Sequence, residues 1–167
     1  MNCPFQPQDC KDFSCHGYGG GCNSCPSCHS IELTEGERSF LSELAQVPFL
    51  PLACFLMAST KPAYTETVAL SPVYLLHENE TLARVKETRL ILLALQAKGL
   101  VSLDYHQPLQ GCGYEVYQNS NLYRGFAAMV RAGIQKDGLL FDLPELELGS
   151  VALTALGQQA VEQLPPA

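Results

Sequence analysis

Tryptophan is absent from the 167 residues, and basic residues are few, 10 Lys and Arg against 17 Asp and Glu, for a net charge of −7. That balance argues against free nucleic acid as a partner of the whole surface. Long apolar runs are missing as well. The longest, PFLPLACFLMA (48–58), is too short to cross a bilayer and contains two prolines. The start, MNCPFQPQD, lacks the basic residues and apolar stretch of an export signal, so a cytoplasmic protein with no membrane contact is expected. Without export, the glycosylation acceptor Asn79-Glu80-Thr81 carries no meaning. Catalytic signatures are missing too. GYGGGC (17–22) has no Lys-Ser/Thr of a phosphate loop, and there is no Gly-x-Ser-x-Gly. His77 and His106 stand alone and read as surface or packing histidines. Asp142, Glu145 and Glu147 read as a solvated rim. No enzyme is expected, and no internal repeat is visible.

What the chain does have is cysteine, in one place. Six of its eight fall in the first 28 residues: Cys3, Cys10, Cys15, Cys22, Cys25 and Cys28. His16 and His29 each follow a cysteine directly. The segment is rich in Gly, Pro, Ser, Asn and Gln, and it cannot bury enough apolar surface to fold unaided. Disulfides would suit an exported protein, and free thiols in a loose tail would be an oxidation hazard. A metal fits best, because thiolates at Cys-x2-Cys spacing wrap one ion with a tight turn. The candidate ligands are Cys10, Cys15, Cys22, Cys25, Cys28 and His29. Zn2+ is the expected ion, with four ligands drawn from these residues. The alternative is a [4Fe–4S] cluster. CNSCPSC (22–28) matches the first three positions of the bacterial ferredoxin run, although Glu32 stands where its fourth cysteine would begin. Cys54, in an apolar run, reads as a small core residue, and Cys112 as part of a turn.

Composition changes at about residue 31. Thr34 with Glu37 three residues later is a capping-box pattern, followed by Phe40, Leu41 and Leu44 at helical spacing. FLPLACFLMAS (49–59) is expected to form a second, buried helix from Pro51. VALSPVYL (68–75) reads as extended. The segment 79–99 is the clearest helix, with Leu82, Val85, Leu92 and Leu95 inward, Asn79 or Thr81 as its cap and Gly99 ending it. LVSLDYH (100–106) and YEVYQ (114–118) read as strands. A helix follows over 121–138, with Leu122, Phe126, Met129, Val130 and Ile134 inward. LLFDLPELELGS (139–150) reads as a connector, SVALT (150–154) as a strand, and ALGQQAVEQL (155–164) as a closing helix.

Two pieces of this body resemble winged-helix proteins, the helix-turn-helix variant common in bacterial transcription regulators. TRLILLALQAKGLVSLDY (88–105) is similar to a recognition helix running into the first wing strand, with Leu95-Gln96-Ala97-Lys98-Gly99-Leu100-Val101 at the junction. VALTALGQQAVEQL (151–164) is similar to the second wing strand and the Leu-Thr-x-x-Gly start of a closing helix. Gly99 lets the chain reverse from helix to strand, and Thr154 can cap the next helix. The resemblance implies an α+β, mostly helical fold. A Cys-rich, metal-stapled segment (1–30) would precede a winged-helix-like domain (31–164) with a two- to three-stranded sheet, a long insertion at about 107–149 and a tail (165–167). It also implies that the helix at 81–98 meets the DNA major groove through Arg84, Lys86, Thr88 and Arg89, with Lys98 near a phosphate. The local charge agrees, at +3 from Arg84 to Lys98.

Three functions follow as expectations. The first is a DNA-binding transcriptional regulator whose metal is structural or sensing. The second is a protein–protein interaction module, which the Leu and Phe between acids in LLFDLPELEL (139–148) suit. The third is a small iron–sulfur redox protein. DNA, a protein partner or a second copy in a homodimer are the partners these readings allow.

Overall fold

Thr34 opens the body of the chain as its pattern predicts. Its Oγ1 accepts a hydrogen bond from the Glu37 amide (3.3 Å), and the Glu37 carboxylate accepts from the Thr34 amide (2.7 Å). This reciprocal cap starts α1 (Glu35–Leu44), which buries Phe40, Leu41 and Leu44. The computed structural model describes residues 31–60, 65–105, 108–111, 113–133 and 140–164. Residues 1–30, with every proposed metal ligand, lie outside the described residues, as do His106, Cys112 and Ile134. The body, Glu32–Ala167, clusters as a unit of its own.

The apolar run after α1 is a strand, β1 (Leu50–Ser59), and not the expected helix. Residues 52–56 are all buried, so neither a period of two nor one of 3.6 shows in the sequence. Pairing decided the outcome. β1 is antiparallel to β2 (Thr65–Val73) on one side and to β4 (Leu143–Leu153) on the other, which satisfies its backbone along both edges. The pairing with β2 shifts register between Ala53 and Phe55 and again between Phe55 and Leu56.

α2 (Leu82–Ala97) is the clearest helix of the sequence. Thr81 caps it by accepting from the Arg84 amide, and Gly99, at φ 72°, ends it. Val85, Leu92 and Leu95 are buried as expected, whereas Leu82 is exposed. β3 (Val101–Asp104) follows directly. YEVYQ, expected as a strand, forms the short helix α3 (Glu115–Asn119) instead. Tyr114 and Tyr117, three apart, both turn into the core, where their hydroxyls donate to the carbonyls of Gly149 and Pro51 (2.7 Å each). α4 (Asn121–Gly133) buries Phe126, Ala127 and Val130, but Met129, expected inward, is exposed. The expected connector at 139–150 is largely strand. β4 runs eleven residues through it and pairs with both β1 and β3. Thr154 then caps α5 (Ala155–Glu162) by accepting from the Gly157 amide (3.0 Å).

The sheet therefore has four antiparallel strands in the order β2-β1-β4-β3. This overturns the expected winged-helix-like fold with a small two- to three-stranded sheet. The two longest strands, β1 and β4, form the centre, and the segment 107–149, expected as an insertion, supplies α3, α4 and most of β4. Ala53 and Phe55 of β1 pack with Val73, Val85, Tyr117, Phe126 and Val130, and Phe55 stacks on Phe126 at 5.5 Å. Successive strand residues alternate between faces, and Leu52, Cys54 and Leu56 are also buried, so β1 is covered on both sides. No helix among the described residues is long and apolar enough to cross a membrane.

Candidate functional site

The five cationic or polar residues proposed to meet DNA all lie on or just beyond α2, and four of them are engaged with the chain itself. Arg84 pairs with Glu87 at 3.1 Å, with both side chains about two-thirds exposed. The Thr88 hydroxyl donates to the Arg84 carbonyl one turn back (3.2 Å). Arg89 Nε donates to the Ser71 carbonyl and so ties α2 to β2. Lys98 Nζ donates to both Glu37 carboxylate oxygens (2.8 and 2.7 Å) and to the Glu32 carbonyl (2.7 Å), joining α2 to α1. Lys86 is exposed.

The Glu37–Lys98 pair has a clear electrostatic signature. Burial alone would raise the Glu37 pKa. The Lys98 ammonium and the Thr34 amide outweigh it and hold the carboxyl below its ordinary value. These contacts give Lys98 a structural role in seating the α2 terminus on the α1 cap.

Lys86 and Arg89 instead line a groove of about 400 Å3 between α2 and β2, walled by Val68, Leu70, Ser71 and Leu90. Two of its apolar side chains are open to solvent, Val68 at 60% and Leu90 at 65% of full exposure. β2 is an outer strand of the sheet, paired with β1 and with no other described strand. Thr65, Glu66, Val68 and Ala69 are exposed along it. An outer strand presents backbone N–H and C=O groups that a further strand can pair with.

A polar cluster lies beside the groove. The Ser71 hydroxyl bonds the Tyr105 hydroxyl at 2.9 Å and also the Cys54 thiol. Burial pushes the Tyr105 phenol above its ordinary pKa, against the pull of Arg89. Burial likewise pushes the Cys54 thiol up, against the Ser71 hydrogen bond. Cys54 is therefore held as a protonated thiol and is a poor nucleophile and metal ligand. Among the described residues no group of three His, Cys, Asp or Glu side chains could hold a metal ion. Asp142, read as part of a solvated rim, accepts from the Thr60 amide and hydroxyl (2.9 and 2.8 Å) and pins the end of β1.

The groove was not foreseen from sequence. VALSPVYL reads correctly as extended, but nothing local says that its strand is an outer one, and Leu90 looks like any apolar residue of α2. The faint signal is Leu90 itself, which falls off the apolar face made by Val85, Leu92 and Leu95.

The chain matches no protein-family model and no curated protein. Among solved structures it is similar to an uncharacterized protein from the hydrocarbon-degrading marine bacterium Alcanivorax borkumensis SK2, at 16% identity over 77% of this chain and 83% of that one, with a TM-score of 0.41.

Proposed function

We propose that this protein is an interaction module whose body takes up an extended protein segment along the outer edge of β2. One observation carries the reading. β2 is an outer strand, and its exposed Val68 faces solvent beside the exposed Leu90 in a groove shared with α2. Strand addition at such an edge gives affinity through backbone hydrogen bonds and specificity through side-chain pockets on alternate residues. Solvent-exposed apolar side chains flanking an open edge are what such docking uses and what a purely structural edge usually avoids.

The N-terminal cysteines complete the proposal as a structural staple. Thiolates of Cys15, Cys22, Cys25 and Cys28, with Cys10 or His29 in reserve, are the donor types that zinc takes in a closed four-ligand site. A [4Fe–4S] cluster is the alternative for the same thiolates.

The regulator reading drew its geometry from the winged helix, which the four-stranded sheet replaces, and Arg89 and Lys98 are engaged within the fold.

The test uses the full chain in dilute solution with a fluorescent capped peptide of sequence TVTETVT, a strand former. Saturable anisotropy that unlabelled peptide competes away, and that Val68→Asp abolishes, is the expected result. If the peptide fails to bind and the chain also fails to associate through β2 with anything, itself included, the reading is wrong. Salt-sensitive binding of duplex DNA lost in Lys86→Glu would return the regulator reading.

A further inference from the structure

We infer that the protein segment docking on β2 is acidic: it sets a carboxylate side chain against Lys86 and Arg89, with an apolar side chain two residues away against Val68 and Leu90. The inference rests on the reading of β2 as a docking edge and names the chemistry of its occupant.

Four cations lie on α2 and its C-cap, and they fall into two kinds. Arg84 and Lys98 each have a carboxylate partner within the chain, Glu87 and Glu37. Lys86 and Arg89 have none among the described residues, and these two line the groove. No acidic residue among those described lines it with them. The one acid of α2, Glu87, is taken by Arg84, and although it adjoins Lys86 in sequence, neighbouring side chains on a helix diverge. The chain has 17 acidic residues and 10 basic ones, so two adjacent cations left without a carboxylate run against its composition. Lys86 and Arg89 are three apart and so lie side by side on the helix, and Leu90, four from Lys86, extends the same stripe.

Arg89 is positioned to receive a carboxylate. It uses Nε on the Ser71 carbonyl, which leaves its two Nη amino groups for another acceptor. The nearby Tyr105 phenol is kept neutral by burial and supplies no counter-charge. Ser71 has no partner in the β1 register, and Pro72 has no amide hydrogen. A strand added along β2 therefore stops pairing at Ser71, beside the guanidinium. Alternate side chains of a strand point the same way, so one of any two neighbours faces the α2 wall whatever the register. A wholly apolar segment seated there would strip water from both cations and leave them unpaired, which is unfavourable. A carboxylate offsets that cost, while its apolar second neighbour covers Val68 and Leu90, both exposed.

The experiment uses the full chain and three capped fluorescent peptides, TVTETVT, TVTQTVT and TVTKTVT, read by anisotropy. Each sequence is the same in both directions, so each presents its central residue between two valines on one side whichever way it lies. TVTETVT is expected to bind about tenfold more tightly than TVTQTVT, and TVTKTVT more weakly than either, with the difference shrinking as salt is added. Lys86→Glu is expected to erase the preference for glutamate, because the introduced carboxylate neutralises Arg89 in place of the ligand's. Lys86 is exposed, so the variant is expected to fold, and its affinity for the uncharged TVTQTVT checks that the groove is intact. Wild-type affinities that are equal, or that favour glutamine or lysine, overturn this inference and leave the docking reading standing. A preference for glutamate that survives Lys86→Glu also overturns it, since the charge is then read elsewhere. Failure of all three peptides to bind overturns it as well, and where the chain is also monomeric it removes the docking reading itself.

Discussion

At Gly149 the space is decided by single atoms. A Cβ there would lie 2.0 Å from the Asp104 carbonyl oxygen and 2.8 Å from the Tyr105 Cα, and both obstacles are backbone. Gly149→Ala is expected to lower stability by about 3 kcal/mol, read as a drop in the urea midpoint, because the β3 edge must shift to admit the methyl group. Tyr117 is wholly buried, and its hydroxyl donates to the Pro51 carbonyl. Tyr117→Phe leaves that carbonyl without its donor and is expected to cost about 1–2 kcal/mol in thermal or urea melts. The Glu37–Lys98 pair makes a pH-dependent contribution. The folded Glu37 pKa lies below its unfolded value, so its contribution is present above the ordinary value of 4.5 and is lost as pH falls through the folded value. Lys98→Met removes the ammonium and leaves only the Thr34 hydrogen bonds to oppose burial, so the Glu37 pKa rises. The variant is expected to be about 2 kcal/mol less stable at neutral pH, with the gap to wild type narrowing in acid. A constant gap across pH would show that the ion pair is not the cause.

Among the elements, caps were legible, and so were the extended segments that became β2, β3 and the end of β4, whereas β1 and α3 were not. Thr34, Thr81 and Thr154 each cap a helix, because a cap depends on residues within one turn. Thr154 also donates to the Gly99 carbonyl (2.6 Å), so one side chain joins the end of α2 to the start of α5. Thr154→Ala is expected to cost about 1 kcal/mol, and Thr154→Ser to recover most of it, in equilibrium unfolding. β1 defeated local reading because both of its faces are buried, Leu52 through Leu56 without a break, which leaves no alternation to see. α3 defeated it in the opposite way. Tyr114 and Val116 on either side of Glu115 suggest a period of two, but the contacts that decide come from Tyr114 and Tyr117, three apart, whose hydroxyls reach carbonyls at Gly149 and Pro51.

For the whole molecule, the cysteine head and the body make separate claims. Thiolate ligands at 22 and 25 predict that Cys22→Ser or Cys25→Ser lowers bound metal in protein purified without oxygen, measured by elemental analysis. Full metal content in both variants would take these residues out of the site. The absorption spectrum of the same sample separates the ions, since zinc is colourless and a [4Fe–4S] cluster is brown. Neither result bears on the edge of β2, which the peptide experiment addresses directly.

Local features were written in the chain itself: three helix caps, the left-handed Gly99, the helices at 35–44, 82–97, 121–133 and 155–162, and Cys54 as a core residue. Each depends on residues that are neighbours along the chain. It took the folded structure to make an apolar run at 50–59 a central strand, to pair an acidic connector at 143–153 with it, and to engage Arg89 and Lys98 within the fold. The fold also set β2 at an edge, and the candidate site follows from that. The physical reason is the range of the interaction. Strand order and the partners of long cationic side chains are settled between residues tens of positions apart, and no local pattern records them.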